Sequence, residues 1–161
     1  IINSELKVLV ISLKNKINSV RNKKSVQSKQ SDENLEKIID LEEIVDDIYN
    51  KLEETPNQEL IDILFYLSEL NYANAKRKIG LCYYNGVYFE QSIEETLKWF
   101  TEAAELGDAS AQFNLGMFYI NGIGVGTNID KGMSYLEASA NNENIEAEEA
   151  AKMIKEAFDL E

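Results

Sequence analysis

Histidine is absent from the 161 residues, and cysteine, proline and tryptophan occur once each. With no histidine and a single thiol, Cys82, neither a zinc site nor a Ser-His-Asp or Cys-His catalytic arrangement can be assembled. One cysteine also excludes an internal disulfide framework and removes the usual mark of an oxidising compartment. No asparagine begins an N-x-Ser/Thr sequon, and with the lone thiol this points to a cytoplasmic setting. Ile1 in place of a starting Met is read as the sign of an excised piece. With one proline and abundant Leu, Ile, Glu and Lys, the composition is that of an all-α chain.

Positive charge is scarce too, at 16 basic residues against 29 acidic, and it is unevenly placed. Residues 1–30 carry seven Lys or Arg against Glu5, a balance of +6, which leaves nine basic and 28 acidic residues, or −19, for 31–161. Such a body is a poor ligand for nucleic acid or an anionic membrane and suits a basic peptide or basic protein surface. Its acidic pairs, Glu42-Glu43, Asp46-Asp47, Glu53-Glu54 and Glu148-Glu149, lack the Gly-containing loop spacing of a calcium site and read as solvated helix faces. No catalytic residue, metal or cofactor is expected.

What the chain does have is a segment written twice, 36 residues apart. Ala75 falls on Ala111, Ile79-Gly80 on Leu115-Gly116, Tyr83 on Tyr119, Asn85-Gly86 on Asn121-Gly122, Trp99 on Tyr135 and Ala104 on Ala140. A period of this size marks a solenoid. Within each copy the apolar residues recur at three- and four-residue steps, break at Asn-Gly, and recur again, which predicts helix, turn, helix. Gly80 and Gly116 sit inside helices at a cost of about 1 kcal/mol each relative to Ala, which predicts close approach of the paired helix. Gly122-Ile123-Gly124-Val125-Gly126 follows a helix, lacks the Lys-Ser/Thr of a phosphate loop, and reads as a turn.

These residues, with Trp99, Ala103-Ala104 and Gly107 in the first copy and Asn128, Lys131-Gly132 and Tyr135 in the second, resemble the Sel-one-like repeat family, a branch of the tetratricopeptide-like α-solenoids. In the first copy Tyr88-Phe89 stand where the family has Gly-Val. The resemblance implies a right-handed α-solenoid of stacked antiparallel helix pairs that serves as a scaffold for protein–protein contacts, without activity of its own.

The rest of the chain is placed around that pair. Residues 1–21 form a basic amphipathic helix with Leu6, Val10, Leu13, Ile17 and Val20 on one stripe, although Leu6–Leu13 alone also reads as a strand. Residues 22–31 are a polar, basic linker. The solenoid occupies 32–161: a degenerate leading repeat over 32–72, repeats over 73–108 and 109–144, and a capping helix over 145–161. Ser31 starts a helix that runs to Glu54, and Thr55 caps the next with Pro56 at its first position. The amino-terminal helix packs on its own or a neighbouring solenoid, the second being a route to self-association, in preference to a membrane surface.

If Ile79, Tyr83, Leu115 and Tyr119 point into their hairpins, then Asn74, Arg77, Leu81 and Tyr84 face the concave side, as do Ser110, Phe113, Met117 and Ile120. The resemblance to tetratricopeptide proteins puts partner contacts on these eight positions. For Phe113, Met117 and Ile120 two readings fit, the core between repeats or a ligand groove. Two functions follow: an adaptor that binds a protein or peptide, with a basic one matching its charge, or a substrate-recruiting domain of a larger enzyme such as a kinase or ubiquitin-ligase complex.

Overall fold

The computed structural model describes the backbone of residues 31–160 and the side chains of 41–160; before them it describes Val8, Ile11, Ser12, Lys14, Asn15, Lys16, Asn18 and Ser19, all helical and exposed. The helix expected over 1–21 and the linker over 22–31 thus lie largely outside the described residues. From Ser31 onward the described chain is built of seven helices with no strand among them. They are α1 (Ser31–Glu54), α2 (Gln58–Glu69), α3 (Ala73–Asn85), α4 (Ile93–Glu105), α5 (Ala109–Asn121), α6 (Ile129–Asn141) and α7 (Ile145–Phe158).

The 36-residue period is written in hydrogen bonds as well as in letters. Ser92 and Asn128 begin α4 and α6 by accepting the backbone N–H of Glu95 and Lys131, at 3.2 and 2.9 Å. Asp108 and Asn144 do the same for α5 and α7 through Ala111 and Ala147, at 2.7 and 3.1 Å. After each first helix the chain turns left-handed at Gly86 (φ 69°) and Gly122 (φ 68°). Ser92 and Asn128 then donate back to the carbonyls of Tyr83 and Tyr119, at 3.0 and 2.8 Å. The turns that close α2, α4 and α6 also match. Tyr72, Asp108 and Asn144 donate to Leu67, Ala103 and Ser139, each with a left-handed residue before the donor: Asn71, Gly107 and Glu143.

One local expectation is corrected. The cap of α2 is Asn57, not Thr55: its Oδ1 accepts the Leu60 N–H at 3.1 Å, and Pro56 precedes the helix. Asparagine caps more strongly than threonine, and Leu60, Ile61 and Leu64 are then buried together. In the first repeat the turn holds its shape with Tyr88 at φ 66° where the second has Gly124 at 67°. The left-handed tyrosine is bolted down by its neighbours: its ring meets Phe89 edge-on at 5.0 Å, Phe89 stacks on Tyr83 at 4.4 Å, and its hydroxyl bonds Gln58.

Close approach inside the hairpins is as the glycines predict. A Cβ on Gly80 would lie 2.6 Å from the Phe100 ring, and one on Gly116 2.9 Å from Leu136, the residue 36 positions after Phe100. α3 packs on α4 and α5 on α6, α4 and α6 pack in turn on α5 and α7, and α1 lies against both α2 and α3. The core is three clusters strung along the chain. The first joins α1, α2 and α3 around Ile48, Leu52, Leu64 and Ile79; the second gathers at Phe100, Leu115 and Phe118; the third at Met133, Leu136, Ala147 and Ala151. Each is a modest core of the kind a solenoid builds between neighbours.

Candidate interaction groove

The eight positions singled out on the first helices have two destinations. Leu81 and Tyr84 of α3 are half-buried and pack against the second cluster, Tyr84 with its ring 5.6 Å from Phe118. Phe113, Met117 and Ile120 of α5 pack against the third. All five are partly buried at the edges of these clusters. Ile120 lies over Gly132 of its paired helix α6, whereas Tyr84 reaches across to Phe118 of α5. Only their half-exposed edges meet solvent.

Asn74, Arg77 and Ser110 come together elsewhere, on the walls of a groove of about 670 Å³ bounded by α1, the start of α3 and the α4–α5 turn. Along the start of α3 and the α4–α5 turn it carries a polar network. Arg77 reaches Asp108 through Nε at 3.1 Å and donates to Asn74 Oδ1 at 2.6 Å, while Asp108 also accepts the Ala111 N–H. Asn74 in turn donates to the Glu42 carbonyl at 3.5 Å. Beside it Lys78 pairs with Asp46 at 2.8 Å and lies 4.9 Å over the Tyr49 ring, and Tyr49 accepts from Asn85 at 2.9 Å. Burial pushes the Tyr49 hydroxyl up to about 12, so it stays protonated. With Asp108 tied to Arg77 and Asp46 to Lys78, the exposed Glu42 leaves the groove's edge net acidic. The walls are partly apolar: Leu41 and Val45 are buried at its base, and Leu106 is 46% exposed on its rim.

Tyr72, Leu106 and Asp108 are groove residues that the sequence reading did not single out, and Glu42 and Asp46, read there as part of a solvated helix face, line the groove too, Asp46 paired with Lys78. The signal was present, since Leu41, Val45 and Ile48 stand 36 residues before Arg77, Leu81 and Tyr84 and carry the first-helix register back into α1. Cys82 is fully buried, and burial pushes its thiol up to about 12, as befits a packing residue. Among the described residues no group of three or more acidic or cysteine side chains is placed to hold a metal ion. None of the described helices is long and apolar enough to cross a membrane.

Comparison with known proteins agrees with this geometry. The sequence matches the Sel1 repeat family over residues 73–108 and 109–144. No curated protein matches it. Among solved structures it is similar to a Sel1 repeat protein from Oxalobacter formigenes, at 25% identity and a TM-score of 0.62, over 69% of this chain. The match spans 44% of that protein, less than half its length. Sel1 repeats are generally protein–protein interaction modules without catalysis of their own. The turns, caps and glycine contacts that recur at 36 residues are the physical content of that match, and the chain carries two Sel1 repeats, residues 73–108 and 109–144.

Proposed function

We propose that this chain is a non-catalytic, cytoplasmic adaptor that holds a basic, partly apolar segment of a partner protein. The eight first-helix positions remain part of the reading, in two roles. Asn74, Arg77 and Ser110 meet the partner in the groove, and the edges of Leu81, Tyr84, Phe113, Met117 and Ile120 extend the contact along the first-helix face. The observation that carries it is the groove itself: apolar at its base, acidic at its lip, and with its own cations already neutralised. A lysine arriving there meets the uncompensated carboxylate of Glu42, and an aliphatic side chain beside it meets Leu41, Val45 and Leu106. The buried, protonated thiol and the absence of histidine support the non-catalytic part.

The test is a titration of the full chain with a fluorescent amphipathic peptide rich in Lys and Leu, followed by anisotropy. Saturable binding is expected, weakened tenfold or more by Glu42→Lys with Leu106→Ser and absent for a peptide with Glu in place of Lys. Equal binding of both peptides, or no effect of the double variant at unchanged Tm, would place the partner elsewhere.

A further inference from the structure

We propose that the groove is the seat of this chain's own amino-terminal basic segment, residues 1–21, folded back along α1. The inference rests on reading the groove as a site for a basic segment, and it names an occupant built into the chain. Three observations carry it.

The first is charge. α1 holds ten acidic residues against Lys37 and Lys51, a balance of −8, and directly follows the thirty residues whose balance is +6. Oppositely charged neighbours joined by a short link attract within a Debye length of about 8–10 Å at ordinary salt. The second is shape. The stripe Leu6, Val10, Leu13, Ile17 and Val20 offers aliphatic side chains on one helix face, with Lys7, Lys14 and Lys16 beside it. The groove offers Leu41, Val45 and Leu106 beside Glu42, and has room for several such side chains.

The third is reach. Leu41 lies ten residues into α1, so about 15 Å along its axis from Ser31. The nine residues 22–30 span up to about 30 Å, which lets a segment ending at Arg21 lie antiparallel to α1 and cover the groove. A tether that short supplies an effective concentration in the millimolar range. Even a weak contact is therefore populated, and an outside ligand must displace it.

The full chain tests this with a nitroxide on Ser12→Cys, a position that is exposed; Cys82, fully buried, is not labelled in the folded protein. At low salt the amide signals of Asn71–Asn74 and Leu106–Ser110 should broaden. They should recover at about 1 M salt, where the Debye length falls to about 3 Å. They should also recover in Glu42→Lys and in Lys14→Glu with Lys16→Glu, a pair outside the solenoid that cannot unfold it. Three results overturn the proposal: no broadening, broadening centred on α7, or broadening only when labelled copies are mixed with separate isotope-enriched ones, which would make the occupant a second copy. If the contact is missing while the added Lys-Leu peptide still binds, the groove reading stands and only its occupant is wrong; if both fail, the groove is not a basic-segment site.

Discussion

Gly80 and Gly126 ask opposite things of an alanine. At Gly80 the new Cβ gains about 1 kcal/mol of helix propensity but meets the buried Phe100 ring at 2.6 Å, and overpacking of that kind costs about 1–3 kcal/mol. Gly126 has nothing within 4 Å and no left-handed φ, so alanine there only stiffens the unfolded chain, for a gain of up to about 1 kcal/mol. Gly124→Ala should be the worst of the three, with a left-handed φ and the added carbon driven into the Ile93 side chain. Urea midpoints should therefore rank Gly126→Ala above wild type, then Gly80→Ala, then Gly124→Ala. The buried thiol makes a separate prediction. Cys82 is raised from 9.0 to about 12 and Tyr49 from 10.0 to about 12, so the folded state holds protons that the unfolded chain has lost. The stability this represents is complete below pH 9 and falls as pH climbs from about 9 toward 12. Thermal scans should be flat to about pH 8.5 and decline above it, and Cys82→Ala should delay the onset toward the tyrosine range. At this scale the sequence spoke unevenly: a glycine inside a helix announces close packing, whereas Tyr88 gives no hint that it will turn left-handed. Only the aromatic cluster around it, built from α2, α3 and the turn, holds it there.

Between elements, the seams decide what a side chain does. Arg77, Leu81 and Tyr84 on α3 recur as Phe113, Met117 and Ile120 on α5, and the same register reads Leu41, Val45 and Ile48 on α1. Their neighbours come from different helices, Arg77 meeting the Asp108 cap of α5, Tyr84 the Phe118 ring and Ile120 the Gly132 position of α6, so single-helix periodicity, which sees one cylinder, gives the face but not its neighbour. Phe113→Ser and Met117→Ser should accordingly lower stability, by about 1–3 kcal/mol each for half-buried apolar groups, with a matching drop in Tm. Arg77→Ala should cost a comparable amount, because it leaves Asp108 with its cap but without its ion partner in a seam where both side chains are under 20% exposed. A double-mutant cycle with Asp108→Asn separates the pair from the cap. The helices were legible because caps and apolar stripes are local. The groove was not, because it is made where α1 crosses the end of one unit and the start of the next.

On the scale of the molecule, three small clusters in a row give a chain whose ends can open without its middle. α7 buries only Ala147 and Ala151 completely enough to count, and leaves Ile145, Met153 and Phe158 exposed, so its hold on α6 is slight. The single tryptophan sits far from it, in the seam of α2 and α4, with its ring 5.5 Å from Phe65. Trp99 therefore reports on the first clusters alone, while far-ultraviolet circular dichroism reports on every helix. In a linear array whose stability is a sum of unit and neighbour terms, damage at one end stays there until it outweighs the next interface. Ala151→Asp, which buries a charge against the third cluster, should remove helical signal and amide protection from α7 while the tryptophan transition keeps its wild-type midpoint. Should the two probes instead fall together, the clusters are coupled into one cooperative block, and the picture of units zipping on a common register would have to give way to a single all-or-none core.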